Sequence, residues 1–220
     1  MSVAILLVDG QELPAQRGQR LLWALLDAGL SIPNLCATRG QEPPFGGCRL
    51  CYVEVAGQRA PVTSCTQKVQ DGLVVTTRSP AVDRLVRAGF EALLSNHRLD
   101  CKRCPGNGRC ALQAIARQRK IPLQGKRLPK IDFDYPVDES HPDFGFDRNH
   151  CVLCGRCVEV GERELGGGIL TFSRRGIRTA IETFDGQPLA TQDCAGFARC
   201  VEVCPVGALY LRQPGKPDQP

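Results

Sequence analysis

Between His97 and Cys110 the chain reads His97-Arg-Leu-Asp-Cys101-Lys-Arg-Cys104-Pro-Gly-Asn-Gly-Arg-Cys110, one imidazole and three thiols spaced H-x3-C-x2-C-x5-C. Three thiolates and a ring nitrogen can hold a zinc ion or the four irons of a [4Fe–4S] cube. A histidine by itself reads as an ordinary surface residue. Beside Cys101, Cys104 and Cys110, with Gly106 and Gly108 freeing the loop between them, His97 reads as a ligand. The rest of the chain decides between the metals. Four spaced cysteines lie upstream and a ferredoxin-like set lies downstream, so the sequence predicts three iron–sulfur centres with this one in the middle.

Thirteen cysteines in 220 residues need a chemical explanation. A secreted disulfide scaffold would open with a signal peptide, whereas this chain opens Met-Ser-Val-Ala-Ile-Leu-Leu-Val-Asp9, without a basic region. No apolar run approaches the ~18 residues that span a bilayer. The expectation is therefore a cytoplasmic protein, not membrane-spanning, in which clustered cysteines serve metals. The net charge of +5 gathers partly at Arg117, Arg119, Lys120, Lys126, Arg127 and Lys130. A solvated linker is expected there, with an acidic-partner surface as the alternative; no aromatics are interleaved, so nucleic acid is not expected.

The fold class expected is α+β in small modules. In residues 1–78 an apolar run, Val3 to Val8, meets Asp9-Gly10, a strong hairpin signal before a second strand ending near Pro14. Leu21 to Ala28 then reads as a short amphipathic helix stopped by Gly29. Strands follow at Tyr52–Val55, near Val62 and at Leu73–Thr76, a sheet wrapping one helix. Cys36, Cys48, Cys51 and Cys65 stand in the pattern C-x11-C-x2-C-x13-C. Gly46 and Gly47 precede Cys48, where amide N–H groups could point at a bound anionic cluster. A [2Fe–2S] site is expected, with zinc or unconnected core thiols as the alternative.

Residues 79–118 form the middle module. Pro80 opens a helix with Val82, Leu85, Val86, Phe90, Leu93 and Leu94 on one face, ending at Ser95-Asn96 so that His97 is delivered to the site. A second helix begins at Ala111. Residues 119–147 carry four prolines among charges and no sustained period, a linker crossing the surface against a neighbour. His141 and His150 are expected to have no ligand role.

In residues 148–220, Cys151, Cys154 and Cys157 form a C-x2-C-x2-C run, and Cys204-Pro205 stands far downstream. In two-cluster ferredoxins the cysteine before proline completes the other run's cluster. Cys151, Cys154, Cys157 and Cys204 therefore make one [4Fe–4S] site. The second run is broken: Phe197 occupies one ligand position between Cys194 and Cys200, and Gly161 another. Eleven of the thirteen cysteines are used, and Cys194 and Cys200 are left as free thiols. Gly166-Gly-Gly168 reads as a turn, since no G-x-G-x-x-G follows a strand, and no nucleophile–base pair is visible. No catalytic site and no flavin or NAD site is expected on this chain.

The first module resembles the N-terminal β-grasp [2Fe–2S] domain of the respiratory NADH dehydrogenase large iron–sulfur subunit. The pattern S-N-H-x3-C-x2-C-x5-C-x-L-Q from Ser95 to Gln113 looks like that family's [4Fe–4S] motif with one histidine and three cysteine ligands. In this order, and ending after a single-cubane domain with Phe172-Ser-Arg-Arg-Gly176 and Cys204-Pro-Val-Gly207, the chain resembles the small diaphorase-type iron–sulfur (U) subunit of cytosolic NAD-linked bidirectional [NiFe] hydrogenases. The resemblance implies one [2Fe–2S] and two [4Fe–4S] clusters carrying electrons. The implied partners are a flavin/NAD(P)-binding diaphorase subunit and the [NiFe] hydrogenase small and large subunits. Formate dehydrogenase, bifurcating and respiratory-type complexes use a similar relay. A zinc-binding structural or nucleic-acid adaptor is the alternative from another class.

Overall fold

The computed structural model describes residues 2–124 and 127–212. Lys126 of the basic cluster and positions 213–220 of the last predicted module lie outside them. The chain divides into two compact units, Met1–Leu93 and Leu94–Pro220.

The first unit opens with β1 (Val3–Val8) and β2 (Gln11–Gln16), paired antiparallel. Asp9 (φ 50°) and Gly10 (φ 83°) form the turn, both in the left-handed region that a two-residue type I′ hairpin demands. The second strand runs past Pro14, whose missing N–H is tolerated because β2 is the sheet edge. Along β1, Ala4, Leu6 and Val8 are buried while Val3, Ile5 and Leu7 face outward. Against the buried face lies α1 (Leu21–Asp27), which sinks Leu21, Leu22, Ala24 and Leu25. Strands β3 (Tyr52–Val55), β4 (Val62–Thr63) and β5 (Val74–Thr76) complete the order β2-β1-β5-β3-β4. β1 and β5 run parallel, with Leu7 opposite Val74, and the Asp9 carboxylate accepts hydrogen bonds from the Thr77 N–H and hydroxyl at 2.8 and 2.5 Å. Helix α2 (Pro80–Ser95) starts with proline in its first turn, and the Ser79 hydroxyl accepts the Val82 N–H.

In the second unit α3 (Ala111–Arg119) begins where expected and is capped by Lys120 in the left-handed region. The segment expected to be an irregular linker is tied down: Ile131 N–H donates to the Ser95 carbonyl, and Asp138 bridges Phe146. It ends in β6 (Phe144–Phe146), which pairs antiparallel with β9 (Leu209–Leu211). Between them come α4 (Arg156–Glu164), the hairpin of β7 (Leu170–Ser173) and β8 (Ala180–Thr183), and α5 (Ala198–Val203). None of the described helices is long and apolar enough to cross a membrane.

Candidate metal centres

In the first unit the four cysteines sit in the loop between α1 and β3 and just after β4, all buried. Cys36 and Cys48 interact, and so do Cys51 and Cys65. The Cys36 thiol donates toward Cys48, raising the Cys36 pKa and lowering that of Cys48 to about 6. Cys51 stands to Cys65 in the same way. The Cys48 N–H lies 3.4 Å from Cys36 Sγ, and backbone hydrogen bonds from Leu35, Cys36 and Leu50 help hold the Cys48 pKa down. At Gly47 a β-carbon would sit 2.3 Å from the Phe45 ring. Gly89 of α2 likewise lacks the β-carbon that would meet the Arg49 carbonyl at 2.6 Å, so the helix closes on the loop between Cys48 and Cys51.

In the second unit Cys101, Cys104 and Cys110 are drawn together in the loop before α3. Burial raises the Cys104 pKa to about 11, against the Gly106 N–H that points at its sulfur from 3.4 Å. His97 is 4 % exposed, and its Nδ1 is buried without a hydrogen-bond partner. Burial, with the His150 ring beside it, lowers the His97 pKa to about 4, so the ring is neutral and its lone pair is free near pH 7.

His150 is the site residue that sequence reasoning passed over. It is buried, its ring lies edge-on to His97 at 5.6 Å between centroids, and two carboxylates hold it. Nε2 is 2.5 Å from Asp100 Oδ1 and Nδ1 is 2.7 Å from Asp147 Oδ2. Burial pulls its pKa down, but the neighbouring Asp147 and Asp100 carboxylates outweigh that and the net direction is up. The available signal was Asp147 three residues before it and Asp100 beside Cys101.

The third set is assembled by the β6–β9 pairing, which brings the segment before Cys151 beside the segment after Cys204. Cys151, Cys154, Cys157 and Cys204 line one small pocket, walled by apolar side chains including Phe146, Ile181, Val206 and Leu209. Leu153 (φ 52°) and Gly155 (φ 74°) turn the run sharply, and the Leu153 N–H lies 3.4 Å from Cys151 Sγ. Burial raises the pKa of both Cys151 and Cys157, so they would give up protons there only to a compensating cation. Cys194 and Cys200 turn away from this cavity, each sulfur toward a carbonyl, of Leu189 and Cys157 respectively. Phe197 is fully buried and packs edge-on against Phe144.

The second and third sets share structure. The Ala111 N–H donates to the Pro205 carbonyl at 2.8 Å, and Arg98 N–H donates to the Asn149 carbonyl at 2.8 Å. Among the described residues no three His, Cys, Asp or Glu side chains converge as tightly as a single ion would need. The thiols, the N–H groups aimed at sulfur and the orphaned His97 nitrogen suit polynuclear iron–sulfur centres.

Residues 3–80 match the family described as 2Fe-2S iron-sulfur cluster binding domain. Residues 87–122 match the NADH-ubiquinone oxidoreductase-G iron-sulfur binding region, and 142–210 the ferredoxin-like domain of NADH-quinone oxidoreductase subunit 3. This is an iron–sulfur protein. A solved structure of NAD+-reducing [NiFe]-hydrogenase in the H2-reduced state superposes with a TM-score of 0.85 at 33% identity, covering 96% of this chain and 88% of that one. The chain belongs to the family of iron–sulfur electron-transfer subunits of NAD(P)-linked hydrogenases and NADH dehydrogenase-like complexes. It is 36% identical over 213 residues to the NADPH-Fe(3+) oxidoreductase subunit alpha of Geobacter sulfurreducens, covering 94% of this chain and 24% of that protein. It is 31% identical over 216 residues to the NADP-reducing hydrogenase subunit HndD of Solidesulfovibrio fructosivorans, with 95% and 36% covered. The first of these curated relatives is thus matched over about a quarter of its length.

Proposed function

We propose that this chain is a cytoplasmic electron-relay subunit of an NAD(P)-linked hydrogenase complex. It would stand between a flavin/NAD(P)-binding diaphorase subunit and a [NiFe] hydrogenase small and large subunit. The observation that carries this reading is the ring of Cys151, Cys154, Cys157 and Cys204 around one apolar cavity, drawn from segments far apart in sequence. Cys36, Cys48, Cys51 and Cys65 hold a [2Fe–2S] cluster in module 1–78. His97, Cys101, Cys104 and Cys110 hold a [4Fe–4S] cluster in module 79–118. The ring of four holds another in module 148–220, with 119–147 as the connection. Bound there, the clusters would take up and release single electrons.

The chain's own residues set the conditions for that chemistry. The amides of Cys48, Gly106 and Leu153 donate to sulfur, which stabilises the charged ligand. Ile181, Val206 and Leu209 keep water from the third site. No side chain acts as acid, base or nucleophile in this role.

Iron, sulfide and zinc analysis of anaerobically purified protein, with EPR after dithionite reduction, tests the reading. The expected content is about 10 irons per chain and no stoichiometric zinc. About 14 irons would mean that the broken fourth site still assembles. Zinc with little iron would replace the relay by a structural adaptor. Co-purification with a flavin subunit and a [NiFe] pair checks the partners. A second reading places the same relay in an NADH-quinone oxidoreductase, supported by 34% identity over 202 residues to a component of such an enzyme from Rhizobium meliloti. Co-purification with quinone-reducing subunits would favour it.

A further inference from the structure

The β7–β8 hairpin supplies no ligand, yet through Ile181 it closes one wall of the cavity ringed by the third cysteine set. Phe172 is the cross-strand partner of Ile181, so the two side chains share one face of the hairpin. Ile181 is 1% exposed and Phe172 37%, and the apolar wall therefore runs out to the surface. In the loop that joins the two strands Ile177 is 68% exposed. Large apolar side chains grouped in this way on one exposed element mark an interaction site more often than scattered ones do.

The charge on this element has one sign at its tip. Arg174 folds back, as Arg148 does, onto the carboxylate of Glu182 and over the Tyr135 ring. Asp185, beyond the hairpin, accepts from the Gln187 N–H and from Gln192. Arg175 and Arg178 are exposed at the tip and have no ion-pair partner among the described residues. Two uncompensated guanidinium groups beside exposed Ile177 select a partner surface rich in carboxylates.

We propose that this hairpin docks an acidic redox protein. Carboxylates around an apolar depression on the partner meet Arg175 and Arg178, while Ile177 enters the depression. One electron then passes between the group held by Cys151, Cys154, Cys157 and Cys204 and the partner's one-electron centre, with no bond made or broken. The electron step rests on the ligand set assigned above; the docking surface does not.

The test titrates the full, cluster-loaded chain by calorimetry with a strongly acidic b-type cytochrome, both proteins oxidised so that no electron moves. The wild-type chain should bind it, more weakly as salt is raised. Arg175→Glu with Arg178→Glu should weaken binding about tenfold or more, and Ile177→Ser about fivefold at unchanged salt dependence. The same charge reversal at exposed Arg117 and Lys120, on α3 and its cap, should change binding less than about twofold. No binding by the wild type, or equal losses from the hairpin and control pairs, would overturn the proposal. Iron content and EPR of the same samples separate the two readings. Hairpin-dependent binding without the third centre's signal sinks the ligand assignment alone, and an intact signal with hairpin-independent binding sinks the docking surface alone.

Discussion

A β-carbon added at Gly207 would lie 2.4 Å from the sulfur of Cys104, and one at Gly106 would lie 2.7 Å from the Gly207 nitrogen. The loop that follows Cys204 is thus seated against Cys104, with no room for even a methyl group between them. Gly207→Ala should unseat Cys104 and cost the middle centre, a loss of about four irons per chain. Iron analysis with EPR checks this; a full complement of iron in the variant would show that the loop yields.

In the proposed middle set His97 offers a neutral nitrogen beside three thiols. His97→Cys should keep the middle cluster and lower its potential, because a fourth thiolate adds negative charge, whereas His97→Ala should lose the cluster. Potentiometric EPR titration reads the shift. An unchanged potential in the cysteine variant would remove His97 from the ligand set.

Phe197 stands where a two-cluster ferredoxin would carry a ligand, and it is a core residue. Phe197→Ala should destabilise the second unit by about 3–5 kcal/mol without changing iron content. Phe197→Cys should add no iron, because a side chain at Gly161, the other missing position, would sit 3.0 Å from the Gly168 backbone. Denaturant unfolding and iron counts on the two variants distinguish a packing role from a latent ligand site.

Asp138 accepts hydrogen bonds from the Leu189 N–H at 2.9 Å and from the Ser140 N–H and hydroxyl at 3.0 and 2.6 Å. Burial alone would raise its pKa, but these bonds and Arg148 outweigh it and the net direction is down. The stabilisation is therefore complete above the unfolded aspartate value of about 3.9 and is lost as pH falls through the lower folded value. Asp138→Asn should cost about 1–2 kcal/mol at pH 7 and progressively less below pH ~4. A pH series of unfolding midpoints tests it; a pH-independent difference would assign the effect to packing.

The parts legible in the sequence were those written in local chemistry. Asp9-Gly10 announced the first hairpin, Pro80 and the apolar face after it announced α2, and the cysteine spacings announced the sets. The β6–β9 pairing was not legible, since each strand is three residues long and their pairing spans most of the last module. Gly207 was visible only as part of Cys-Pro-Val-Gly; its tight contact comes from another segment's sulfur. His150 was hidden for the same reason. Its two carboxylate partners converge only in three dimensions, and a lone histidine beside a cysteine carries no period to find.

The parallel pairing of β1 with β5 has a consequence for how the protein is made. Cys36, Cys48, Cys51 and Cys65 all lie between these strands in the chain, so every one of them leaves the ribosome before Val74 can pair with Leu7. Until then the β1–β2 hairpin can form but the sheet cannot close, because a non-local strand pairing must wait for its second half. The four thiols thus pass through a stage of synthesis in which they stand outside any finished core. Topology sets an order of events for assembly: the four thiols emerge before the strand that closes the sheet.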